Sequence, residues 1–383
     1  MSPRRLLVPA ALAIALLLAG CAAPPPRSPD PGPDDVKGYD GTSWPRLSGV
    51  TLTILDHGAP WGFEEAKQRF ENLTGARVLQ VQADDTGAAL ARAIREKGAP
   101  SFDVIYGLDN VLLARAEAEG ILHAYKPFLA DRVDARYRFF PDSGAWPATP
   151  VDHGYIAINW DPRHPDLREA HLESLLDVRD HARLFVTQDP RTSTPGLGFL
   201  LATIATFPEG APYDWKAYWR DLFSGGVVVT AGWTEAYEQR FSGGYGVDAG
   251  GLGDKPIVTS YSTSPAYEHF YGRPREDAAS ALVADNATFQ QIQTMAILKG
   301  TRNLLAAKAW IEWTLTDEFQ DMAAPLRAVY PAVPGVRVNG TFADLDPAPD
   351  TFVPARFEYR DLAQRLETWV RQWVDLCEAA NCA

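Results

Sequence analysis

Residues 50–81 read VTLTILDHGAPWGFEEAKQRFENLTGARVLQV. Val50, Leu52 and Ile54 alternate with threonines, the two-residue period of a strand. Phe63, Ala66 and Phe70 then recur at helical spacing, which predicts a helix over Gly62–Leu73 with one apolar face. Val78–Val81 reads as a second strand. The pattern continues downstream: Ala88–Lys97 reads as a helix ended by Gly98, Phe102–Tyr106 as a short buried strand, and Val111–Glu119 as a helix. Strands alternating with helices of this length predict an α/β fold, a parallel sheet with helices on both faces. Ligands of such sheets gather at the carboxyl ends of strands, so the loops after Ile54, Val81 and Tyr106 are the places to look.

The alternation restarts further along. Gly154–Trp160 and Arg183–Thr187 read as strands, the latter followed by a turn over Gln188–Gly196. Val227–Thr230 and Ile257–Tyr261 follow with helices between. Asn303–Leu315 is an amphipathic helix. Glu358–Ala380 is a long terminal helix with Leu362, Leu366, Trp369, Trp373 and Leu376 on one side. The chain shows no internal repeat. Ser242–Gly253 is rich in glycine, matches no phosphate-loop spacing, and reads as a flexible surface loop.

The chain has 383 residues and a net charge of −13. Nucleic-acid binders carry a basic footprint, so no nucleic-acid partner is expected. The acidity favours cationic over anionic ligands. At the start, Arg4 and Arg5 precede an uncharged apolar run, Leu6–Gly20, the layout of a secretory signal and short for a membrane-spanning helix. The run ends Leu18-Ala19-Gly20-Cys21, which resembles the bacterial lipobox. That resemblance implies a lipid-modified Cys21 as the mature N-terminus, anchored to the cell membrane on its outer side. Residues 22–47, rich in Pro, Asp, Gly and Ser, read as a disordered tether. Cys377 and Cys382 lie together at the other end, where an oxidising compartment would let them pair.

Nothing in the sequence carries a catalytic or metal signature. The 7 histidines are scattered, His164 and His171 in a polar surface stretch, and none pairs with another at metal-ligand spacing. There is no GxSxG, HExxH, Walker or cysteine-cluster motif. Asp84 and Asp85 read either as exposed loop acids or as one ligand contact. A binding protein is therefore favoured over an enzyme, with no cofactor. Aromatic and hydroxyl side chains collect in strand-end loops: Trp61, Ser193, Thr194, Trp233, Tyr237, Tyr261-Ser262-Thr263-Ser264 and Tyr267. Aromatic faces hold flat heterocycles and cations, and hydroxyls with free N–H groups at helix starts hold phosphate.

The segment Gln188-Asp189-Pro190-Arg191-Thr192-Ser193-Thr194-Pro195-Gly196-Leu197-Gly198 resembles the hallmark of thiamine-binding proteins of ABC transporters. Gly107-Leu108-Asp109-Asn110, Gly232-Trp233-Thr234-Glu235-Ala236-Tyr237 and Ser260-Tyr261-Ser262-Thr263-Ser264-Pro265-Ala266-Tyr267 match in the same order, from about Thr51 to about Val333. The resemblance implies a type II periplasmic-binding-protein fold, two α/β lobes joined by crossing strands near His153–Asn159 and Gln293–Leu298, with the ligand between the lobes. The implied division is 1–21 signal, 22–47 tether, 48–152 with 295–357 lobe one, 153–294 lobe two, and 358–383 a terminal helix. The ligand contacts it implies are Asp85, Thr86, Ser193, Thr194, Trp233 and Tyr261 through Ser264, with Trp61 and Tyr267 sandwiching the ligand rings. Ser193, Thr194 and the Tyr261–Ser264 turn would hold the hydroxyethyl or phosphate end. The implied partners are thiamine or a thiamine phosphate and an ABC permease, and the chain is expected to be a monomer.

The chain departs from the family at four places. His57 stands for an aromatic near the end of the first strand, Ala328 for a tryptophan two residues before Tyr330-Pro331, and Thr86 for a glycine. The glycine-rich insertion before Lys255 is also unlike the family. The fold is compatible with two other functions. Ferric iron, polyamine or anion binders share it, but ferric binders typically use adjacent tyrosines, and no such pair occurs here. Thiamine-degrading enzymes of this fold use a cysteine nucleophile, whereas every cysteine here lies at a chain end.

Overall fold

The computed structural model describes residues 43–57, 61–83, 86–139, 144, 146–270, 279–336 and 352–382. Among these, the side chains of 61–63, 249, 267, 269–270, 323–326 and 359–360 are not described. Signal, lipobox and nearly all of the expected tether lie outside the described residues. Packing begins ahead of Ser48: Leu47 is buried and Trp44 meets the Phe70 ring edge-on.

The expected β-α-β start is present as β1 (Thr51–Asp56), α1 (Trp61–Thr74), β2 (Arg77–Gln82), α2 (Thr86–Arg95), β3 (Val104–Asp109) and α3 (Leu113–Ala118). A two-residue β4 (Leu122–His123) and the long β5 (Thr149–Trp160) follow. Next come α4 (Leu175–Asp180), β6 (Phe185–Gln188), α5 (Thr194–Thr206), α6 (Trp215–Ser224), β7 (Val228–Thr230) and a π-helical segment, Thr234–Arg240. The rest comprises β8 (Ile257–Tyr261), α7 (Ser264–Phe270), β9 (Ser280–Leu282), β10 (Phe289–Leu298), α8 (Leu304–Thr314), α9 (Asp317–Arg327), β11 (Tyr330–Pro331) and α10 (Tyr359–Ala379).

One sheet runs β2-β1-β3-β10-β5-β8-β6-β7. It is mixed, which corrects the expectation of a parallel sheet. β1 pairs parallel with β2 and β3, and β6 pairs parallel with β7 and β8. Between these groups β10 runs antiparallel to both β3 and β5, and β5 antiparallel to β8. The two long strands span the stretches expected as crossings, and their pairing extends from Phe289↔Ile156 to Met295↔Thr149. β10 hides its strand period, because Gln290, Gln291 and Thr294 are buried on it.

Period-two alternation explains how helices cover both faces. Ile54, Val104, Tyr106, Met295 and Ile297 pack with Phe70 of α1 and Trp310 of α8. Their neighbours Leu55, Ile105, Ala296 and Leu298 face the other way, onto Leu90 and Ala93 of α2. In the second half Phe185 and Ile257 meet Phe199 of α5 and Trp219 of α6, while Val186 and Val258 meet Ala236 and Tyr237. Helix α10 packs on this half, with Trp373 edge-on to Trp219 at 5.3 Å. Cys377 and Cys382 form a disulfide at its end.

Part of the glycine-rich stretch is packed against its neighbours, a feature the expectation of a surface loop did not include. Tyr245–Ala249 forms a 3-10 turn against the π-helical segment. A Cβ on Gly246 would lie 2.0 Å from the Glu238 carbonyl oxygen, and one on Gly244 2.6 Å from that of Tyr237. Glycine serves here for close backbone approach, which composition alone does not distinguish from mobility.

Candidate ligand-binding site

Strand β1 ends on Asp56, wholly buried. Its carboxylate accepts both arms of the Arg327 guanidinium, at 2.9 and 3.1 Å, from the last residue of α9. It also accepts from Gln80 Nε2 at 2.8 Å and from the His57 N–H at 2.7 Å. The guanidinium lies 4.2 Å over the Tyr106 ring, and the Tyr106 hydroxyl donates to Asp152. Burial works against the charge on Arg327, but Asp56 and Tyr106 outweigh it and hold its pKa above the ordinary value. Burial pushes the Asp152 carboxyl up to about 6, against the Tyr106 hydrogen bond. Burial also pushes His57 below its ordinary value, against the pull of Asp56, so its ring is neutral at pH 7. Gly107 at φ +96° makes room for that ring: a Cβ there would lie 2.1 Å from His57 Cε1.

The facing wall comes from the carboxyl ends of β6, β7 and β8. The turn after β6 is tied to β7, with the Asp189 N–H donating to the Thr230 carbonyl at 2.9 Å and the Thr192 hydroxyl to that of Ala231 at 2.6 Å. Arg191 is paired with Asp189 inside the turn. Ser193 is the N-cap of α5, yet its side chain makes no capping bond, and its buried Oγ has no hydrogen-bond partner among the described residues. Gly196 lets α5 begin this close to β6, since a Cβ would lie 2.4 Å from the Gln188 carbonyl oxygen. The first turn of a helix leaves its N–H groups unpaired and carries partial positive charge. After β7, Trp233 stacks on Tyr237 at 4.8 Å and 10°, and its Nε1 donates to Ser260 Oγ at 2.8 Å. Ser260 Oγ in turn lies 2.8 Å from Ser264 Oγ. Tyr237 donates to Glu268.

Between the two walls is a cavity of about 520 Å³, a size that suits a small organic ligand. Of the residues expected from sequence it brings together Ser193, Thr194, Trp233, Tyr261, Thr263 and Ser264. Thr86 and Ser262 do not line it. Thr86 opens α2 wholly buried, and Ser262, whose N–H donates to the Tyr155 carbonyl, is buried outside the lining. Asp85 lies outside the described residues, as do the side chains of Trp61 and Tyr267. The cavity adds residues absent from the expected contacts: His57, Thr192, Tyr237, Tyr245, Gln291, Gln293 and Arg327, with Ala328 at its edge. The glutamines had a legible signal, being amides set in the apolar context of β10. Arg327 and Tyr245 had none, because loop and helix-end charges and tyrosines are ordinarily solvated.

No protein-family model matches the chain. The thiamine-binding periplasmic protein of Brucella suis biovar 1 is 30% identical over 335 residues, 85% of this chain and 91% of that one. Its namesake in Escherichia coli K12 is 29% identical over 339 residues, 86% of this chain and 94% of that one. The chain belongs to the family of thiamine-binding periplasmic proteins. A solved periplasmic thiamin binding protein superposes with a TM-score of 0.69 at 27% identity, over 87% of this chain and 98% of that one. Apo ferric ion-binding protein A of Pasteurella haemolytica superposes at 0.66 with 16% identity, over 87% and 98%, which shows a shared fold alone. The fold is that of the type II periplasmic binding proteins. Among the described residues no group of three or more His, Cys, Asp or Glu side chains could hold a metal ion, and no helix is long and apolar enough to cross a membrane.

Proposed function

We propose that this family member captures thiamine, or a phosphate ester of it, outside the cytoplasm and hands it to an ABC importer. The observation that carries this reading is the pairing, in one cavity, of an aromatic wall with a helix start. Trp233, backed by Tyr237, offers a face to a flat heterocycle. Ser193 and Thr194 offer hydroxyl groups, at the electropositive start of α5, to a hydroxyethyl or phosphate end. The opposite wall suits the cationic thiazolium, since His57 is neutral and the Arg327 charge is taken up by Asp56. Lipid attachment at Cys21 would keep the protein beside its importer, and the chain acts as a monomer with no cofactor of its own. Calorimetric titration with thiamine, its monophosphate and its diphosphate tests the reading. At least one should bind saturably near micromolar, about −8 kcal/mol, and quench tryptophan fluorescence. No heat with any of the three at millimolar concentration would refute it.

A further inference from the structure

The glycine-rich stretch 242–253 delivers an aromatic side chain, Tyr245, to the cavity wall. The stretch is clamped in place. Gly244, Gly246 and Gly251 press against the carbonyls of Tyr237 and Glu238 at distances no Cβ would permit. At one end Ser242 Oγ donates to Asp161 at 2.9 Å, and at the other Asp254 pairs with Arg240 at 2.6 Å. The Tyr245 hydroxyl donates to the Glu238 carboxylate. Its ring lies 6.4 Å from that of Tyr237, which is itself stacked on Trp233. On the other side of the cavity, Ala328 offers only a methyl group.

We propose that Tyr245 is a specificity-determining ligand contact, supplying from the glycine-rich turn an aromatic surface for the cationic heterocycle. This rests on the thiamine reading above and deepens it. A phenol that donates to a carboxylate is polarised toward greater electron density in the ring, which strengthens its attraction for a cation. Tight glycine packing fixes the ring before the ligand arrives, so little ordering entropy is lost on binding.

The test is calorimetric titration of thiamine into the purified wild-type protein and three variants. Tyr245→Ala should weaken binding about 2- to 25-fold, the range spanned by cation–π contacts. Tyr245→Phe, which keeps the ring, should stay within about threefold of wild type. Gly246→Ala should weaken binding as Tyr245→Ala does, because its Cβ must push the turn off the Glu238 carbonyl. Should Tyr245→Ala lower the melting temperature, Tyr245→Leu carries the same expectation, keeping apolar volume without a π face. A wild type that binds thiamine alongside a Tyr245→Ala or Tyr245→Leu variant of equal affinity overturns the inference and leaves the thiamine reading standing. A wild type that binds no thiamine or thiamine phosphate overturns the thiamine reading itself.

Discussion

Arg327→Met should destabilise the protein by about 3–5 kcal/mol, the range for removing one partner of a buried ion pair. The side chains of Arg327 and Asp56 are 6% and 0% exposed, so solvent does little to screen them. The loss has three parts. Two charge-assisted hydrogen bonds to Asp56 vanish, the Asp56 carboxylate stays buried without its countercharge, and the contact over the Tyr106 ring is lost. Methionine retains most of the apolar stem, which limits the cavity contribution. The measurement is urea unfolding at pH 7, read by circular dichroism. Asp56→Asn combined with Arg327→Met should recover most of the loss, since no uncompensated charge then remains buried. A single-variant loss below about 1 kcal/mol would refute the argument, for it would mean that water reaches the pair and that the lower wall is open.

Two further outcomes concern His153 and Ala328. His153 lies against Tyr137, Tyr155 and Tyr330, and burial pushes its pKa down to about 3. Its unfolded value is near 6.5, so the unfolded chain takes up the proton first and stability falls as pH drops from about 6.5 toward 3; His153→Phe should lose about 2 kcal/mol less than wild type between pH 7 and pH 5 in matched urea titrations. Asp152, raised to about 6, acts in the opposite sense and is common to both proteins, so an equal loss in the two would refute the assignment. Ala328→Trp should tighten thiamine binding about 2- to 12-fold by calorimetry. It should also lower the melting temperature, because residue 328 sits at φ +53°, where a bulky side chain is strained; unchanged or weaker binding would show that residue 328 does not reach the ligand.

The parts of the fold legible in the sequence are those where polar residues space the apolar ones at a regular period. Leu52 and Ile54, or Phe63, Ala66 and Phe70, declare their period because polar residues separate them. Of the two central strands, β5 is legible over Gly154–Trp160, but β10 cannot be read this way. β10 is buried along its whole length and carries glutamines and a threonine as well as Ile292, Met295 and Ile297, so its two faces look alike. Their pairing also reverses the sheet's direction, which no local pattern encodes. In the site, hydroxyls and aromatics at strand ends were legible because such residues have few other reasons to cluster. Arg327 was not, because its role depends on Asp56, which is 271 residues away in sequence. Tyr245 was not, because a glycine-rich turn held by backbone contact has the composition of a mobile one.

The two walls differ in kind, and the difference bears on what the cavity can hold. The wall from β6, β7 and β8 offers aromatic surface and hydroxyl groups at a helix start, so it can take a flat ring at one place and an anionic or hydroxyl end at another. The wall from β1 and α9 carries an arginine, which alone would repel a cationic ring. Asp56 removes that objection: the guanidinium is held by both carboxylate oxygens and covered by the Tyr106 ring, leaving a near-neutral surface. A ligand that is cationic at its ring and hydroxylated or phosphorylated at its tail therefore meets complementary chemistry at both ends. A ligand that is anionic throughout would gain nothing from the lower wall, because its one cation there is already paired among the described residues. The charge pairing on the floor is thus as much a part of selectivity as the aromatic contacts above it.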